Sequence, residues 1–121
     1  MEFFKCKDCG TVVLPVRGTA EGCQANRQEL VANSVDAAKE KHVPEAVMAG
    51  GCVTVQVGSA PHPMLEKHYI EWICLETVKG HQLQRLQPGQ EPRAEFQLAV
   101  GDKPLAVYAY CNLHGLWKKE I

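Results

Sequence analysis

The sequence predicts a mainly β protein: an antiparallel β-sandwich of about seven strands over residues 37–121, preceded by a small knuckle domain over residues 1–36. Three observations lead there. Apolar and polar residues alternate at period two along Val53-Thr54-Val55-Gln56-Val57. Further β-rich segments recur at short spacing between Gly-, Pro- and Asp-containing breaks. A Cys6-Lys7-Asp8-Cys9-Gly10 turn stands apart near the N-terminus. With 121 residues the chain has room for one ordinary core and a small appendage that needs its own staple.

Taken in order, Phe3 to Val16 reads as two short extended segments around the Cys6–Gly10 turn, with Gly10 supplying the positive φ that such a turn requires. Arg17 to Arg27 is polar and Gly-containing, a loop carrying the isolated Cys23. Asn33 to Lys41 reads as a short helical turn, capped by Asn33 or Ser34 and favoured by Ala37 and Ala38. Pro44 disfavours helix at Val43, so Glu40, Lys41 and His42 stand at the exit from helix to loop. A Gly50-Gly51 turn introduces the valine strand, and Tyr69–Val78, His81–Leu86, Ala94–Val100 and Leu105–Tyr110 follow as strands. Their breaks carry turn chemistry in Lys79-Gly80, in Pro88 to Pro92 and in Gly101 to Pro104.

Charge and hydropathy exclude several classes. Net charge is -1 and the isoelectric point about 6.5, so no broad positive field exists to hold nucleic acid or an anionic membrane. No apolar run approaches the roughly 20 residues that span a bilayer, and the first residues lack the pattern of a signal peptide. A soluble, cytoplasmic protein is expected. In such a chain six cysteines read as ligands, redox thiols or small buried hydrophobes before they read as a disulfide framework.

Four of the five histidines lie where the chain changes direction. His42 ends the helical turn, His62 sits between Pro61 and Pro63, His68 precedes a strand, and His114 follows the last expected strand. Taken singly, each is more often a surface or satisfied core residue. Taken together they can converge, because loops at one end of a sandwich meet. Cys111-Asn112-Leu113-His114 adds a thiolate and an imidazole that reach one metal from one loop. The spacing fits zinc, a blue-copper site or a redox iron. Five candidate donors overfill a tetrahedral zinc, and copper leaves two histidines without a role and lacks a methionine just after His114. Iron with five protein ligands keeps a sixth position open.

Four segments, Glu40-Lys41-His42-Val43-Pro44, Gly58-Ser59-Ala60-Pro61-His62-Pro63-Met64, Glu66-Lys67-His68-Tyr69-Ile70-Glu71-Trp72 and Tyr110-Cys111-Asn112-Leu113-His114-Gly115, closely resemble the superoxide reductases, the desulfoferrodoxin and neelaredoxin family. The resemblance runs from about Asn33 to Trp117. It implies an immunoglobulin-like sandwich and a mononuclear non-haem iron held equatorially by His42, His62, His68 and His114 and axially by Cys111. It also implies one-electron reduction of superoxide with two protons to hydrogen peroxide, without oxygen release. By the same resemblance Glu40 closes the sixth position of the resting ferric iron, and Lys41 steers superoxide and organises protons. Alone, both would read as solvated residues of a charged turn. An axial thiolate pushes electron density onto iron, as in haem-thiolate sites. The implied partners are an electron donor such as rubredoxin and further copies of the chain in a dimer or tetramer.

The N-terminal segment resembles the desulforedoxin-like domain, which in two-iron members holds a second iron through four thiolates, a Cys-x-x-Cys followed by an adjacent pair. This chain has Cys6 and Cys9, but Gly22-Cys23 where the pair belongs. One sulfur is missing, so no second iron is expected; zinc on Cys6, Cys9 and Cys23 or a Cys6–Cys9 disulfide remain open. Cys52 and Cys74 lie in strand segments and read as inert buried thiols. Two competing functions are a metal-bearing electron-transfer module without a substrate of its own, on iron or copper, and a structural zinc domain.

Overall fold

Short apolar runs on either side of the Cys6–Gly10 turn pair as an antiparallel ladder, β1 (Phe4–Cys6) with β2 (Val12–Val13). The turn is closed by the Gly10 amide on the Cys6 carbonyl at 2.9 Å and the Cys6 amide on the Thr11 carbonyl at 2.8 Å. Gly10 takes φ +76°, as its place in the sequence requires. A third strand, β3 (Arg27–Glu29), adds to the other side of β1. Sequence reading missed it, because three exposed polar residues carry no apolar alternation; only the backbone ladder with β1 defines it. The computed structural model describes residues 1–16 and 26–121, so Cys23 lies outside the described residues. The chain divides into two compact units, Met1–Val31 and Ala32–Ile121.

The second unit contains β4 (Pro44–Ala49), β5 (Cys52–Val57), β6 (Ile70–Thr77), β7 (His81–Arg85), β8 (Arg93–Gln97), β9 (Pro104–Cys111) and β10 (Gly115–Glu120). They form two antiparallel sheets, in the orders β4-β5-β8 and β10-β9-β6-β7. This is the β-sandwich expected from the alternation. Val53, Val55 and Val57 from one sheet meet Ile73, Leu75, Val107 and Ala109 from the other in a core that excludes water. Each fully buried valine or leucine contributes about 1.5–3 kcal/mol of transfer free energy. Cys111 belongs to the same cluster, so its thiol rises from the end of the core.

Two further strands escaped the sequence reading. Pro44–Ala49 grades from buried to exposed without alternating, and Gly115–Glu120 follows the turn that holds His114. His114 therefore lies between β9 and β10, not after the final strand. A bulge at Glu71 is a further departure. Ile70 and Ile73 both face the core although three positions apart, and the register shift between Ile70 and Trp72 absorbs the odd residue.

The helical turn also differs from expectation. It is confined to α1 (Lys39–His42), begins after Ala38 and has no side-chain cap. Asn33 and Ser34 do not cap it. Asn33 instead takes φ +61° and brackets Lys118 on β10, its Nδ2 donating to the Lys118 carbonyl at 3.1 Å and its Oδ1 accepting from the Lys118 amide at 2.9 Å. The pull of that backbone pairing outweighs a local cap, a common fate for asparagine.

Candidate metal centre

Each turn of the sandwich end presents its donors for a local reason, one in each of three turns and two in the β9–β10 hairpin. Pro44 begins β4 immediately after the single turn of α1, which leaves His42 at the helix exit and buried. His62 follows β5 in a turn fastened by its own amide to the Val57 carbonyl at 3.0 Å. His68 closes a tight loop in which Leu65 and His68 exchange backbone hydrogen bonds of 2.9 and 3.0 Å. Cys111 pairs with Gly115 across the β9–β10 hairpin, and Gly115 at φ +75° folds the chain so that His114 returns over the thiol. Cys111 Sγ lies 3.8 Å from His114 Nδ1.

The donor atoms of His42, His62, His68 and Cys111 all lie within 4.8 Å of one another. His114 joins them through Nδ1, 3.1 Å from His42 Nε2. All five residues singled out in the sequence thus converge on one place.

Hydrogen bonds to the backbone set the tautomers of His42 and His62. His42 Nδ1 lies 2.7 Å from the Ala38 carbonyl and His62 Nδ1 lies 2.7 Å from the Pro63 carbonyl. A carbonyl only accepts, so both nitrogens carry the proton and both Nε2 atoms keep a lone pair. Those two Nε2 atoms face each other at 3.2 Å. Burial holds the His62 imidazole down at about 4, opposed by the Pro63 carbonyl and reinforced by neighbouring imidazoles. His42 and His68 shift the same way, first through burial. Near neutral pH His42 and His62 therefore turn uncharged lone pairs on each other with no proton between them. His68 Nε2 is buried without a hydrogen-bond partner. Facing lone pairs and an orphaned ring nitrogen are unfavourable by themselves and become favourable around a cation. Imidazole nitrogens with one sulfur suit a transition metal.

Burial raises the Cys111 thiol above its usual value, while the His114 and Leu113 amides donate to the sulfur and favour the thiolate. A bound metal completes that deprotonation.

Glu40 and Lys41 lie on α1 beside this set, with exposed side chains. Lys41's positive charge is close enough to His68 to depress its basicity, and Glu40's negative charge acts on His42 in the opposite sense. In the first unit, Cys6 is half-buried and Cys9 exposed, with Cys9 Sγ 3.1 Å from Thr11 Oγ1. Hydrogen bonds from Thr11, then from Cys6, lower the Cys9 thiol to about 7. Cys74 is the opposite case, buried and pushed up to about 12.

Two supporting residues had not been singled out in the sequence. Trp117, fully buried, stacks on His42 with ring centroids 4.9 Å apart, and its Nε1 donates to the His114 carbonyl at 3.1 Å. Its signal was that a buried indole needs an acceptor and stands three residues past a candidate ligand. Gly58 is buried at φ +81°, against the backbone of Glu40 and Lys41. Glu40's carbonyl accepts from the Ala60 amide at 2.9 Å and from Ser59 Oγ at 3.3 Å, so the His62 turn seats α1.

Known proteins resemble this chain in sequence and fold. The family profile described as desulfoferrodoxin matches residues 34–120. A desulfoferrodoxin from Syntrophotalea carbinolica is 46% identical over 123 residues, covering 99% of this chain and 96% of the relative. The superoxide reductase of Treponema pallidum superposes with a TM-score of 0.79 at 37% identity, covering 96% of this chain and 98% of that one. The one-iron superoxide reductase of Giardia intestinalis gives a TM-score of 0.59 at 39% identity, covering 69% of this chain and 98% of that one. The chain belongs to the desulfoferrodoxin family, whose structural neighbours are superoxide reductases.

Proposed function

We propose that the chain is a superoxide reductase with one iron per chain, held by His42, His62, His68, His114 and Cys111. The observation that carries this reading is the convergence of four imidazoles on a buried sulfur, with the lone pairs of His42 and His62 facing each other and no proton between them. Relatives named superoxide reductase, one of them a one-iron protein, supply the reaction class.

When bound, the iron supplies the electron for reduction of superoxide. The protein's own part is to hold it, tune it and admit an anion. Four neutral imidazoles and one thiolate leave a ferrous site net positive, which favours an anionic substrate. The His114 and Leu113 amides temper the donor strength of Cys111. Trp117 fixes the planes of His42 and the His114 loop. Lys41 provides a cation at the exposed rim for steering and for organising the protons that superoxide must gain. Glu40, on the same turn, would offer a carboxylate to the metal between turnovers. The electron comes from a small redox protein of the rubredoxin type.

The test is to load the protein with iron and expose it to a superoxide flux under an electron donor. Peroxide forms for each superoxide consumed, and no oxygen is released. Cys111→Ser abolishes the thiolate-to-iron absorption. It lowers iron affinity by more than the 10- to 100-fold typical of residues that only support a ligand. Oxygen evolution would instead identify a dismutase. A reversible redox couple that azide and cyanide leave unperturbed would identify an electron-transfer module.

A further inference from the structure

His68 differs from its neighbours in how its ring is held. His42 and His62 each tie Nδ1 to a backbone carbonyl at 2.7 Å. The His68 ring makes no such bond among the described residues, and its buried Nε2 has no hydrogen-bond partner. Its direction must come from the backbone on either side. There Asn112 closes a bracket. Its Nδ2 donates to the Lys67 carbonyl at 3.0 Å, its Oδ1 accepts from the Tyr69 amide at 3.0 Å, and its own amide donates to the Tyr69 carbonyl at 3.2 Å. Both residues flanking His68 are thus fastened by one side chain, which itself sits between Cys111 and His114.

We infer that Asn112 is the positioning residue for His68: its amide locks the loop of one candidate ligand to the hairpin that carries two others. The inference rests on the proposed metal site. It makes the donor set a coupled unit in which His68 is aimed by the Cys111–His114 turn across 43 residues of sequence. Supporting groups of this kind typically change metal affinity 10- to 100-fold.

Asn33 supplies the control, since its side chain also makes two backbone bonds, both to Lys118, a residue that flanks no histidine. In the full chain, Asn112→Ala is expected to weaken iron binding 10- to 100-fold and to shift the ferric electron paramagnetic resonance and thiolate absorption. In metal-free protein it should also move the His68 ring signals in nuclear magnetic resonance and speed exchange of the Tyr69 amide. Asn33→Ala should lose comparable thermal stability with none of these changes. Asn112→Asp keeps an acceptor for Tyr69 but loses the donor to Lys67, so its effects should lie between wild type and alanine; it also serves if the alanine variant does not fold. Unchanged iron affinity and His68 signals in Asn112→Ala would overturn the inference, as would equal changes in Asn33→Ala. Failure of the wild-type chain to bind iron would overturn the proposed function, and the metal-free signals of His68 and Tyr69 would still decide the role of Asn112.

Discussion

Replacing Gly58 with alanine tests how α1 is held over the candidate centre. A Cβ at this position would stand 2.5 Å from the Glu40 carbonyl oxygen and 2.7 Å from Lys41 Cα, and would also press on the Ala60 carbonyl. An ordinary carbon–oxygen contact is about 3.3 Å, so the overlap is close to 1 Å against backbone that no rotamer change can clear. The residue sits at φ +81°, where an L-amino acid costs about 1–2 kcal/mol. Overpacking adds about 1–3 kcal/mol, for a total of about 2–5 kcal/mol. Gly50→Ala isolates the conformational part, because Gly50 has φ +56° and its Cβ would meet nothing within 4 Å. That variant should lose only about 1–2 kcal/mol. Denaturant unfolding of both metal-free variants measures the gap. Iron titration reads its consequence, since α1 carries His42 and only Gly58→Ala should weaken binding. If the two variants proved equally stable, or if Gly58→Ala bound iron like wild type, the seating of α1 by this turn would be refuted.

The metal-free protein should lose stability as pH falls from about 6.5 to about 4, because burial keeps His62 at about 4 while an unfolded histidine titrates near 6.5. In that window the unfolded chain binds more protons, so stability rises with pH, by at most about 3 kcal/mol from this residue. Unfolding midpoints across the window check the sign, and a flat profile would contradict the neutral, buried imidazole. Lys41→Ala should slow the reaction with superoxide about tenfold at low ionic strength, with the deficit shrinking as salt shortens the Debye length to about 8 Å near 0.15 M. Lys39→Ala, on the same turn, should leave the rate within twofold by pulse radiolysis. Equal effects of the two lysines would reduce Lys41 to part of a general surface charge.

The sequence by itself determined the sandwich and the donor types. Valines alternating in β5 specify a strand with one face buried, because a pleated strand offers nothing else to a period of two. Gly50-Gly51 and Gly10 specify turns because few other residues adopt their φ. Histidines beside prolines and turns, with a Cys-x-x-His, mark a candidate metal site in the sequence alone. Tertiary structure decided the rest, because it depends on partners far away in the chain. Polar β3 and the irregular β4 and β10 are strands only by virtue of the ladders beside them. Asn33 looked like a helix cap until β10 offered it a backbone bracket. Which ring nitrogen His42 and His62 present follows from the carbonyls of Ala38 and Pro63, and the contact of His42 with His114 joins residues 72 apart. A single sequence carries residue chemistry and local period, whereas the facing lone pairs that call for a cation exist only once the loops have met.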